Sequence, residues 1–223
     1  MSSCVDALKR CGNTLGIAPT GAGKTVMGAA IMEPFIDKGQ VLVLQHRDEL
    51  VEQNRGTFKR FMPRCSTDVF NAERKSWSKG ATFAMVQTLM REQNLATMPS
   101  GMRAIFVDEC HHVAAESYGR ILGEFRRRSP DGVLLGLTAT PERGDKKSLT
   151  AFFDNIGDRI SIGELIGAGN LVKPRAFTMD IGLGDQLSNV ETIGNEYNMA
   201  QVDRKSTRLN SSHVALSRMP SSA

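Results

Sequence analysis

Short continuous apolar runs alternate along the chain with longer stretches whose apolar positions recur every three or four residues. An apolar stretch ending at Ile17, VLVLQ at 41–45, ATFAMV at 81–86, AIFV at 104–107 and VLLGL at 133–137 read as strands. Their lack of polar alternation predicts strands covered on both faces, as in a parallel sheet. Between them, VMGAAIMEPFIDKG (closed by Gly39), RDELVEQNRGTFKRFM and ESYGRILGEFRRR read as helices. Strands alternating with helices predict an α/β domain with a mainly parallel sheet flanked by helices. After about residue 180 the pattern thins into Gly, Asn and Ser.

Composition narrows little. Hydrophobic residues make up 40% and charged residues 23% of the 223, ordinary values for a globular protein. Of the formal net charge of +4, residues 203–223 supply +3, through Arg204, Lys205, Arg208 and Arg218 against Asp203. Residues 1–202 stand at only +1, so basicity is no argument for a nucleic-acid partner. No apolar run approaches the roughly 18 to 20 residues that span a bilayer. Residues 1–12 lack the apolar core of a secretion signal, and the expected location is cytoplasmic with no membrane partner. Cys4, Cys11, Cys65 and Cys110 form no C-x-x-C pair and predict free thiols in a reducing compartment.

Two stretches carry chemistry. APTGAGKT at 18–25 has the spacing of a phosphate-binding loop, with Ala18 in the first position, which glycine often fills. Glycines at 21 and 23 let backbone amides of the loop Pro19, Thr20, Gly21, Ala22 and Gly23 point inward around phosphate oxygens without a Cβ in the way. Lys24 then reaches the β and γ phosphates, Thr25 offers a hydroxyl to Mg²⁺, and the following helix aims its positive end at the same anion. The second stretch, VDECHH at 107–112, holds two acids, a cysteine and two histidines, all capable of binding a metal. After an apolar strand and a phosphate loop, Asp108 reads as a ligand of Mg²⁺ and Glu109 as the base that activates the attacking water. A hard cation suits these oxygens, whereas zinc favours softer ligands. An extended backbone through 108–111 would also point Cys110 and His111 to alternate sides. His112 reads as a polar packing residue.

Lys24 in GKT, DECH at 108–111 and TAT at 138–140 resemble, in order, motifs I, II and III of superfamily 2 DEAD/DEAH-box helicases. LQHRDELVEQ at 44–53 and GLTATPER at 136–143 resemble the branch of restriction-enzyme motor subunits and repair helicases. The resemblance runs over roughly residues 1–202. It implies a RecA-like P-loop NTPase domain that uses ATP and Mg²⁺ and acts on nucleic acid, DNA rather than RNA. It further implies that His111 couples nucleotide state to motif III through Thr138 and Thr140. His46 and Arg47 stand where the family has motif Ia, Gln87 and Thr88 where it has motif Ib, and these four are the candidates for gripping phosphates. The alternatives are a P-loop ATPase that switches a partner without touching nucleic acid, and a nucleic-acid-binding module with a dead ATP site.

The family needs a second RecA-like domain in cis, whose arginine fingers complete the ATP site, and no later motif is found here. Residues 1–180 are expected to form the first RecA-like domain, with GNLVKPRAF at 169–177 as the strand leaving it. Residues 181–202 are expected to connect toward the second domain. The family's adenine-reading glutamine would lie at or before Met1. Residues 203–223 back-translate into a string resembling a common sequencing-library adapter and are expected to be a non-native, disordered tail.

Overall fold

The computed structural model describes residues 2–113, 115–140, 149–174, 192–193 and 196–197. Met1–Lys173 form one compact unit and Pro174–Ala223 a second. The domain end expected at residue 180 and the tail expected from 203 lie outside the described residues.

In the first unit, helix α1 (Ser2–Cys11) leads into β1 (Thr14–Ile17), α2 (Lys24–Ile36), β2 (Val41–Gln45) and α3 (Asp48–Phe61). Strands β3 (Thr67–Phe70) and β4 (Ala81–Met85) follow, then the short helices α4 (Val86–Leu89) and α5 (Glu92–Leu95). Strand β5 (Ala104–Asp108) ends in a 3-10 turn, Cys110–His112, before α6 (Glu116–Arg128), β6 (Val133–Thr138), β7 (Asn155–Arg159) and α7 (Ile162–Gly167). The seven strands form one sheet in the order β3-β4-β2-β5-β6-β1-β7, and every pairing is parallel.

Successive residues of a strand face opposite sides, so each central strand feeds two cores. Val41 and Val43 of β2 and Ala104 and Phe106 of β5 pack with Ala29, Ile31, Val51 and Phe58 of α2 and α3. Leu42, Leu44, Ile105 and Val107 pack with Leu89, Leu95, Ile121 and Phe125 on the other side. The helices therefore cover both faces, as the unbroken apolar runs predict.

Strand order decides where the chemistry falls. Strand β6 lies between β1 and β5, with Ile17 beside Thr138 and Asp108 beside Leu137. The loops leaving β1, β5 and β6 therefore emerge side by side at the carboxyl edge, where ligands bind in open parallel sheets. Strand β2 lies between β5 and β4, which brings the loops leaving β2 and β4 next to the same edge.

The strands differ in part from the sequence expectation. Strands β3 and β7, the two edge strands, were not foreseen: TDVF is half-buried over its first two residues, and NIGDR is half-exposed with Ile156 facing solvent, so neither has an apolar run to announce it. Residues 169–174 form turns and irregular chain, so the described part of GNLVKPRAF is not a strand; residues 175–177 lie outside the description. Within the region expected as a connector, Thr192–Ile193 (β8) and Glu196–Tyr197 (β9) pair antiparallel in the second unit. No described helix is long and apolar enough to cross a membrane.

Candidate functional site

The loop after β1 turns through two left-handed glycines, Gly21 at φ 84° and Gly23 at φ 75°. A side chain at either would strain the backbone. Ala18 N donates to Thr138 O (2.9 Å), tying the loop to the end of β6, and Ala22 N closes onto Pro19 O (3.2 Å). Gly23 caps α2 with no side-chain hydrogen bond, and Thr20, Gly21 and Gly23 are exposed. Helix α2 lies close on β5 because Gly28 has no Cβ; one there would collide with the Phe106 ring. That approach sets Lys24 and Thr25 above the end of β5.

Five side chains converge there. The Thr25 hydroxyl lies 3.4 Å from Asp108 Oδ2 and donates to Asn54 Oδ1 (3.1 Å). Asn54 Nδ2 donates to the same Asp108 oxygen at 3.3 Å. The Lys24 ammonium, 9% exposed, pairs with Glu109 Oε1 at 3.0 Å. Burial, and next the neighbouring Glu109 carboxylate, push the Asp108 carboxyl above its ordinary pKa. A pair of adjacent acids held this way favours a cation.

The extended backbone expected through 108–111 is not what the structure has. Glu109 sits at φ 51°, the one non-glycine at positive φ among the described residues. Such a conformation costs about 1–2 kcal/mol and is typical of functional sites. It ends the strand at Asp108 and starts the 3-10 turn, so that Glu109 swings toward Lys24 while His111 comes back over β6. His111 Nδ1 lies 3.3 Å from Thr138 Oγ1 and 3.4 Å from Glu109 Oε2. Thr140 joins through its backbone: Thr140 N donates to Thr138 Oγ1 and Thr138 Oγ1 to Thr140 O, both at 3.2 Å. Cys110 points into the core, fully buried, where burial first and then the Glu109 and Asp108 charges raise its thiol pKa.

Of the four candidates for gripping nucleic acid, three share a surface. Gln87 Nε2 donates to the His46 carbonyl (3.2 Å), bringing the loops after β2 and β4 together, and Arg47 is exposed beside them. Thr88 is buried, and its carbonyl accepts from Asn94 Nδ2 at 2.7 Å, so its side chain does not join that surface. Asn54 was missed in the sequence. Its signal was a lone amide among the residues α3 buries, Val51, Asn54 and Phe58, where apolar spacing predicts another hydrophobe.

Residues 5–143 match the family described as type III restriction enzyme, res subunit. IRC3 of Saccharomyces cerevisiae, named as an ATP-dependent helicase, is 27% identical over 213 residues, 90% of this chain and 30% of that protein. The Pyrococcus furiosus Hef helicase domain superposes with a TM-score of 0.59 at 26% identity, covering 69% of this chain and 37% of that one. A Type ISP restriction-modification enzyme, LlaGI, shares the fold at a TM-score of 0.58 and 15% identity, over 76% of this chain and 17% of its own. The chain spans about a third of the length of the curated fungal relatives it matches. With motifs I to III on neighbouring strand ends of a parallel sheet, it belongs to the ResIII family, as the first RecA-like domain of a superfamily 2 helicase.

Proposed function

We propose that this domain binds and hydrolyses ATP with Mg²⁺ as one half of a motor that moves along or separates nucleic acid, DNA rather than RNA. The observation that carries the reading is the convergence of Lys24, Thr25, Asp108 and Glu109 at one strand edge. Loop amides and Lys24 hold the phosphates, with Lys24 exchanging its Glu109 partner for the β and γ oxygens. The Thr25 and Asp108 oxygens fit Mg²⁺, which when bound supplies positive charge to those phosphates. Freed of Lys24, Glu109 takes the proton of the attacking water, and His111 links that carboxylate to Thr138. A second RecA-like domain in cis would supply the arginines that complete the site. A reducing compartment such as the cytoplasm suits Cys4, Cys11, Cys65 and Cys110, all free thiols.

Asn54 steadies both oxygens proposed for Mg²⁺. Asn54→Leu keeps the volume and removes the amide, and second-shell changes of this kind cost roughly tenfold or more in metal affinity. The Mg²⁺ concentration needed for half-maximal nucleotide binding is expected to rise by about that factor; an unmoved midpoint would remove Asn54 from the site.

The nucleic-acid half of the reading is tested by binding labelled single strands of DNA and RNA of one sequence across a salt series. Both are expected to bind with little sequence preference, DNA more tightly. Arg47→Ala is expected to reduce the logarithmic salt slope by about 0.7, the share of one phosphate contact on a single strand. No binding of either strand would leave an ATPase that switches a different kind of partner.

A further inference from the structure

Three imidazole rings run in contact from the end of β2 to the nucleotide site. The His46 and His112 ring centroids lie 4.7 Å apart, and those of His112 and His111 4.1 Å apart. At one end, His111 stands against both Glu109 and Thr138. At the other, His46 carries the carbonyl that accepts from Gln87 and precedes the exposed Arg47. Two features of the fold impose the arrangement. The 3-10 turn is pinned at both ends by fully buried residues, Cys110 and Val113, which fixes the two rings it carries. Strands β2 and β5 are direct neighbours, which sets His46 beside that turn. Burial, then the charges of Arg47 and His111, lower the His46 pKa and favour its neutral ring. A neutral ring packs against a neighbouring imidazole without like-charge repulsion.

We propose that His112 is a positioning residue that carries a change at Glu109 to the His46–Arg47 loop by ring-on-ring contact. The proposal rests on the nucleotide-site reading above. When phosphate takes Lys24, the 3.0 Å pair with Glu109 opens. His111, held between Glu109 and Thr138, shifts with that carboxylate. The three rings are half-buried and in contact, so a shift of His111 presses on the ring packed against it, and His112 moves and His46 with it. The nucleic-acid loop thus receives a signal through β5 and β2, separate from the link between His111 and Thr138.

Imidazole NMR on the 223-residue chain tests this, with its four histidines assigned by single substitutions. A non-hydrolysable ATP analogue with Mg²⁺ is titrated into the wild type, His112→Ala and His112→Phe, with circular dichroism confirming the fold. In the wild type, the His111 and His46 resonances are expected to shift with one common midpoint. In His112→Ala the His111 shift is expected to persist and the His46 shift to be lost; His112→Phe, which keeps a ring, restores it. A wild type in which His111 shifts and His46 does not would overturn the inference and leave the nucleotide site standing. Continued His46 response in His112→Ala would overturn it as well. If no histidine responds and no analogue binds, the nucleotide reading itself falls. Should His112→Ala fail to fold, His112→Leu, which also removes the ring but keeps apolar volume, takes its place with the same expected loss of the His46 shift.

Discussion

Glu109→Gln is expected to leave nucleotide affinity at or above that of the wild type while ATP turnover falls by roughly 10²-fold or more. Glutamine keeps the shape of the side chain but accepts no proton, so the attacking water loses its base. The rise in affinity has a separate cause. Glu109 pairs with Lys24 at 3.0 Å and so competes with phosphate for the ammonium; the neutral amide competes less. Turnover is read as phosphate release, with single-stranded DNA present, after the domain is joined to the second RecA-like domain proposed above. Affinity is read on the 223-residue chain. A variant with wild-type turnover would show that another group takes the proton. One that loses binding together with turnover would show that Glu109 serves the phosphates rather than the water.

Phosphate chemistry leaves clear marks in a sequence, because it needs fixed residue types at fixed spacing. Two glycines, a lysine, a hydroxyl and two acids after an apolar strand were all legible, and the structure brings Lys24, Thr25, Asp108 and Glu109 together. The parallel sheet was legible for a related reason: strands covered on both faces have no polar positions to blur them. What stayed hidden depends on tertiary contact. The left-handed turn at Glu109 has no local signature, since no side-chain preference of glutamate favours it. Asn54 reaches Asp108 only because α3 packs beside α2, which covers β5, and a single amide in an apolar stripe does not name its partner. The contact between His46 and His112 joins two loops through the strand order alone. Strand β7, half-exposed at the sheet edge, is held by pairing with β1 rather than by a burial pattern of its own.

Lys24→Ala carries the second large effect. Lys24 opens α2 and is almost fully buried, so its charge is held in place before phosphate arrives. Alanine is the best helix former, and the fold is expected to survive the change. Loss of one charge-assisted contact to phosphate costs about 1.5–3 kcal/mol, or roughly tenfold or more in affinity. Glu109, 30% exposed, turns to water once its partner is gone, which limits the loss of stability.

Calorimetric titration of ATP into the 223-residue chain and its Lys24→Ala variant, with and without Mg²⁺, is the most direct test of a phosphate-binding site at this strand edge. Circular dichroism of both proteins keeps a folding defect from being mistaken for a binding one. The expected result is saturable binding that strengthens with Mg²⁺ in the wild type and weakens by about tenfold or more in the folded variant. Equal affinity in the two proteins, or binding indifferent to both Lys24 and Mg²⁺, would contradict it.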